Sequence, residues 1–285
     1  MTVKISRGSA AQASRLRLPT VGGKWGIAVR VAPIVLAVAG AKLLVNALGW
    51  ETLSSNPLLG SVIAATVFIF GFLLAGTLAD YKESERLPGE LAVSLEAIAD
   101  ECLILHEDKR PDAARECLAH VRGMAAMLRG WFFERERTHD VLDSISGLNP
   151  YFLAFEAYTQ PNFIVRLKQE QTAIRRVVTR IHMIRSTSFV AAGYAIAELA
   201  TAFLLLTLLV TDVGPLAEEV VVVSVIAFVL VYMTFLIKDL DDPFDYASGN
   251  GVADVSLHPL DHLEERVASA LSGLDGQDRL VGSSS

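Results

Sequence analysis

The sequence predicts an all-α integral membrane protein, with four transmembrane helices in two pairs and a cytosolic helical domain between them. Three observations carry that reading. Four apolar stretches, at about 27–49, 57–79, 188–211 and 217–237, are each long enough to cross a hydrocarbon core of about 30 Å. The hundred or so residues between the two pairs are charged and follow a helical apolar period. The whole chain, 285 residues with 52% hydrophobic content and a mean hydropathy of +0.42, is too apolar for an ordinary soluble domain and too polar for membrane helices alone.

Residues 1–25 form a basic arm, with Lys4, Arg7, Arg15, Arg17 and Lys24 and no acid. No apolar stretch precedes residue 26, so no cleavable signal peptide is expected. A basic flank before the first span places the N-terminus in the cytoplasm. Residues 26–80 then hold the first two spans, joined by a short loop containing Glu51, Asn56 and Pro57. Residues 81–187 make the cytosolic domain, and 188–238 hold the second pair, whose loop contains Asp212, Gly214, Pro215, Glu218 and Glu219. Residues 239–285 are an acidic cytosolic tail in which acids far outnumber Arg266 and Arg279. The expected location is the inner (plasma) membrane, multi-pass, with both termini cytoplasmic. A net charge of −7 without a dense basic face argues against nucleic acid as a partner; the lipid bilayer is the partner that composition names.

Residues 57–91 are the junction between the two halves. The apolar run passes into Asp80, Lys82, Glu83, Glu85 and Arg86 with no break before Pro88, so one helix leaves lipid for water. Residues 88–107 continue with an apolar stripe of Leu91, Leu95, Ile98, Cys102 and Leu105. Residues 111–135 form a second amphipathic helix, opened by Pro111, and the short 107–110 connection makes the two antiparallel. Ser146 to Pro150 is a break. A long helix from about 162, with Arg175, Arg176, Arg180 and Arg185 near its end, runs on into the third span.

No glycine-rich phosphate loop and no nucleophile–His–acid arrangement stands out, so an enzyme is not expected. Two cysteines are no disulfide framework. Folding the hairpin at 109–110 sets Cys102 opposite Cys117; with His106 and His120 they are either a zinc set or plain interface packing. His258 and His262, at i and i+4, are either surface residues or ligands. Lys42 and Glu198 lie inside apolar spans, at depths about 7 Å apart by the helical rise, and are expected to pair or to serve an ion path. Phe68 and Phe72 share a helix face with Ala64 before them and Ala75, Gly76 and Ala79 after, which fits packing or a pore lining. Phe70 points the other way, toward lipid.

Four segments, in order over roughly residues 57–250, resemble the bestrophin family of ion channels and its bacterial branch. Phe68-Ile-Phe-Gly-Phe72 is similar to the family's pore-neck motif. Glu83, Leu87, Gly89, Glu90 and Leu91 resemble the pattern that follows the neck. Pro161, Glu170 and Arg175 resemble the helix before the third span, and Leu240-Asp-Asp-Pro243-Phe244 resembles the Asn-Pro-Phe signature. The resemblance implies a homopentamer with the second span around the axis. It implies a neck of Ala64, Phe68 and Phe72, with a small residue widening its outer end, and a cytosolic aperture at Asn162, polar where the family is usually apolar. A ring of phenylalanines would gate by dewetting. Asp80, two turns below Phe72, is expected to form an acidic ring at the cytosolic mouth, which favours monovalent cations slightly over the chloride that the family's best-known members pass. The family's calcium clasp follows Pro-Phe, whereas here Asp239, Asp241 and Asp242 precede it and Asp245 follows. These four could bind calcium weakly, and no other cofactor is expected. The alternative function is a non-conducting membrane sensor or scaffold that docks partners through its cytosolic helices; a small transporter fits less well, without broken helices.

Overall fold

The computed structural model describes residues 25–109, 111–186, 191–212, 214–246 and 254–282. The basic arm before residue 25 and the junction at 187–190, where one helix was expected to run unbroken into the third span, lie outside the described residues. Among them the fold is almost wholly helical. In chain order the helices are α1 (Gly26–Ala47), α2 (Pro57–Lys109), α3 (Asp112–Phe132), α4 (Thr138–Ser146), α5 (Asn149–Phe155), α6 (Pro161–Ser186), α7 (Ala191–Val210), α8 (Leu216–Asp241) and α9 (His258–Gly282). Four of these, α1, the first part of α2, α7 and α8, are long and apolar enough to cross a membrane.

α2 is the spine. It runs 53 residues without interruption, about 80 Å at 1.5 Å per residue. The side chain of Asn56 caps its start by accepting from the Leu59 N–H at 3.1 Å, and Pro57 occupies its first turn, where a missing N–H costs nothing. Pro88 sits buried within it, so the apolar span and the amphipathic stretch predicted after residue 88 are one element. Pro88 removes one helical rung. Helix survives there because Leu87, Leu91, Ala92 and Leu95 are buried around it and fix its course.

Two packed regions share this spine. The apolar helices form one: α1 lies on α8, and α7 touches α1, α2 and α8. Its core holds Phe70, Ala197, Leu204, Leu208, Val223, Leu230 and Ile237. Phe70, expected to face lipid, is instead 3% exposed. The side of α2 opposite Phe68 and Phe72 is the one that α7 and α8 cover, and an aromatic ring is worth most where it fills that contact. The loops closing the two pairs are zipped by a short parallel pair, β1 (Leu53–Ser54) with β2 (Thr211–Asp212), in register Leu53 to Thr211.

The charged helices form the second region, built on the lower part of α2 with α3, α6 and α9 against it. Leu91, Leu95, Ile98, Cys102 and Leu105 of α2 all enter its core, as their spacing predicts, facing Cys117, Leu118, Val121 and Leu128 of α3. The break expected at 146–150 separates α4 from α5. The acidic tail, read from sequence as a tail only, contains α9, which inserts Leu260, Leu263 and Val267 into this core. Two salt contacts fasten it: Arg266 to Glu96 and, at 3.0 Å, to Asp100.

Candidate functional site

The α2 face carrying Phe68 and Phe72 is the feature around which the site is built. Both rings are 75% exposed, and Ala64, Ala75 and Ala79 are exposed with them. Steps of four, three, four, four and three residues carry this face from Phe68 through Phe72, Ala75, Ala79 and Glu83 to Arg86. A strip therefore runs from aromatic through small to charged along one helix. Asp80 is exposed too, but at 100° per residue it lies about 80° around from Phe72. Glu83, rather than Asp80, continues the phenylalanine face.

Glu83 is held by Arg180 of α6 in a bidentate pair, with both N–H···O distances 2.9 Å. The hydrogen bond from that guanidinium is the main reason the Glu83 carboxyl lies below the usual carboxylate range. Asp80 also acts on Arg180 through its charge. The exit of the apolar helix thus alternates sign instead of presenting bare acids. Deeper in the charged bundle, Arg166 joins Glu101 at 3.2 Å, a second tie between α6 and α2. Asn162, the expected aperture residue, is exposed in the first turn of α6.

The expected Lys42–Glu198 pair does not form. Lys42 is fully buried and donates to Glu51 at 2.9 Å, to the Thr211 carbonyl at 2.8 Å and to the Leu209 carbonyl at 3.4 Å, with Glu219 at 3.3 Å. Asn46 donates to the second Glu51 oxygen at 3.1 Å. Glu198 pairs with Lys238 of α8 instead. The reason is depth. Lys42 reaches the Leu209 carbonyl, and Glu198 lies eleven residues earlier on α7, about 16 Å away along the helix. Glu51 from the first loop and Glu219 from the first turn of α8 meet the ammonium first. This cluster ties α1, α7, α8 and both loops together at the end of the bundle.

The Leu240–Phe244 segment serves as an anchor. Phe244 is buried against Phe132 with ring centroids 5.6 Å apart, Tyr246 meets the same ring edge-on at 6.1 Å, and its hydroxyl donates to the Val255 carbonyl at 2.6 Å. Burial pushes the Asp242 carboxyl up, helped by Asp245 and opposed by Arg185. Burial likewise raises Asp254, helped by Asp239, Asp245 and Asp242. Asp239, Asp241, Asp242 and Asp245 are thus near enough to feel a common field. Even so, among the described residues no three His, Cys, Asp or Glu side chains gather as metal ligands.

That holds for the cysteine–histidine set as well. Cys102 and Cys117 are buried and adjacent across the α2–α3 interface, and the Cys102 thiol is pushed well up, first by its hydrogen bond with Cys117 and then by burial. His120 is committed elsewhere, with Nε2 at 2.8 Å from the Ser144 carbonyl. The cysteines fill the interface as small apolar side chains do.

No family model matches the sequence, and no curated protein matches it. Solved structures match in fold. A bacterial bestrophin homologue from Klebsiella pneumoniae, carrying a point substitution, superposes with a TM-score of 0.67 at 14% identity, over 85% of this chain and 99% of that one. A second variant of that homologue gives 0.67 at 15% identity, over 88% and 99%. A structure described as a membrane protein gives 0.72 at 13% identity, over 86% and 98%. Long α2, the two-plus-two apolar helices and the charged bundle are therefore arranged as in those structures, and the chain has the fold of the bacterial bestrophin homologues.

Proposed function

We propose that the chain is one subunit of a bestrophin-like homopentameric channel for small monovalent ions. In this reading the α2 helices ring the axis, with Ala64, Phe68 and Phe72 as a hydrophobic neck. The observation that carries it is the pair of phenylalanines, 75% exposed on a helix whose other side is packed by α7 and α8. Lipid would accept such a face. The continuation of the same strip into Glu83 and Arg86, however, suits a path that opens into water. Narrow rings of Phe68 and Phe72 exclude water and block ions, and a small widening or rotation wets them. Ala64 leaves the outer end of the neck wide.

Neighbouring subunits need faces to meet. One such face is α6, where Ile164, Val165, Lys168, Gln169, Thr172 and Arg176 border a shallow groove of about 480 Å³. Asn162, at the start of α6, then serves as a polar aperture. Both chain termini and the charged bundle lie on the cytoplasmic side of the inner membrane, in keeping with the basic arm. Asp80 and the acids of the C-terminal segment favour cations slightly over chloride; the Glu83–Arg180 pair weakens that preference, because each copy brings a positive charge beside the negative one.

The test is purified protein in liposomes. A homopentameric mass in detergent, together with ion flux whose reversal potential under a salt gradient follows the cation, is the expected result. A monomer or dimer without flux would favour the alternative, a membrane sensor or scaffold using the charged helices for docking.

A further inference from the structure

α9 begins with two histidines one turn apart, His258 and His262, whose Nε2 atoms are 3.2 Å apart. Their ring planes cross at 76° with centroids 4.1 Å apart, so closing both lone pairs on one ion requires the rings to swing apart by about 1 Å, which two exposed side chains can do. Two nitrogens each about 2.0–2.1 Å from one tetrahedral ion would stand roughly 3.3 Å apart. We propose that His258 and His262 chelate a borderline divalent transition cation of the zinc, nickel or copper kind, with water in the remaining positions.

The surroundings suit a cation. His262 borders a groove of about 640 Å³ between α2 and α9, which Glu96 and Glu265 also line. Basic groups close to the pair are already engaged: Arg266 holds Glu96 and Asp100, and Arg129 lies 3.2 Å from Asp261. Imidazole nitrogen selects against calcium and magnesium, which take oxygen ligands. Both histidines are exposed, so an ion reaches them without unfolding anything.

Without an ion, one ring can hold the 3.2 Å contact by carrying its proton on Nε2, the donor being set by the tautomers. Binding needs that ring to carry its proton on Nδ1 instead. Water can make this exchange, which leaves both Nε2 lone pairs on the ion and releases no net proton from neutral rings. No oxidant or reductant is involved. The role is to fasten the first turn of α9, next to the Leu260 and Leu263 anchors, and it stands whether or not the protein conducts.

The test titrates tag-free, full-length protein in detergent with Co²⁺, read by its visible d–d absorption, and then displaces it with Zn²⁺. One ion per chain is expected. His258→Ala and His262→Ala should each weaken binding at least tenfold, because either leaves a single imidazole. His139→Ala, which removes an exposed histidine 3.0 Å from Asp143, should leave it unchanged. Absence of saturable binding would overturn the proposal. So would a titration unchanged in either His258→Ala or His262→Ala, or one abolished by His139→Ala. Unchanged circular dichroism in both variants confirms that these surface replacements fold.

Discussion

Replacing Lys42 with alanine removes the positive charge that Glu51 and Glu219 share in a buried cluster. Glu219 is 1% exposed and Glu51 15%, and the ammonium also satisfies the carbonyls of Thr211 and Leu209. Breaking a buried pair by deleting one partner costs about 3–5 kcal/mol, because the surviving charge stays desolvated. For a chain of this size each kcal/mol lowers Tm by roughly 2–4 °C. Lys42→Ala should therefore lower the apparent Tm of detergent-solubilised protein by roughly 6–20 °C, read by intrinsic fluorescence or loss of soluble protein. Adding Glu219→Gln to Lys42→Ala should recover part of that loss, since it removes the stranded charge. The exchange Lys42→Glu with Glu198→Lys should not recover it, because these side chains do not meet. A Lys42→Ala protein within about 1 kcal/mol of the parent would refute the reasoning, as would full rescue by the Lys42–Glu198 exchange.

Other expectations concern the charged bundle. Asp242 and Asp254 have folded pKa values above the unfolded ones, so their contribution is greatest below the unfolded value and is lost as pH rises through the folded value. Thermal melts should then show Asp254→Asn more stable than the parent near neutral pH, with the difference vanishing in acid. Glu83 shifts the opposite way: its pairing with Arg180 contributes above the unfolded pKa and fades as pH falls through the folded one. Because that pair is nearly half exposed, Arg180→Ala should cost no more than about 1 kcal/mol in the same melts. Cys102 and Cys117, buried and with the Cys102 thiolate disfavoured, should react with iodoacetamide at least about tenfold more slowly in the folded protein than in denaturant, followed by mass spectrometry.

What could be read from the sequence was periodicity and length. Apolar runs placed the helical spans to within a few residues, and the stripe from Leu91 to Leu105 named the α2 side of the charged core. Contacts made by distant loops were not legible. Glu51 and Glu219 looked like ordinary loop charges, and it takes the packing of α1 on α8 together with the β1–β2 pairing to bring both to Lys42. α9 was hidden by its charge: the acids of the tail outweighed Leu260, Leu263 and Val267, although their spacing and Pro259 in the first turn are a helix signal. Phe70 was misplaced for a related reason. Sequence shows that it opposes Phe72, but which side of α2 meets α7 and α8 is decided by tertiary packing. For the candidate site the phase of the helix was legible as far as Phe72, while the partner of Glu83, ninety-seven residues away in Arg180, was not.

A channel of this design requires Phe68 and Phe72 to face the ion path. Single-channel recording of purified protein in a planar bilayer, parent against Phe68→Ala with Phe72→Ala, tests this most directly. The neck reading predicts higher open probability, higher conductance or both in the double variant, at unchanged oligomer mass. Indistinguishable currents from the two proteins would place those rings in lipid or in packing and contradict it.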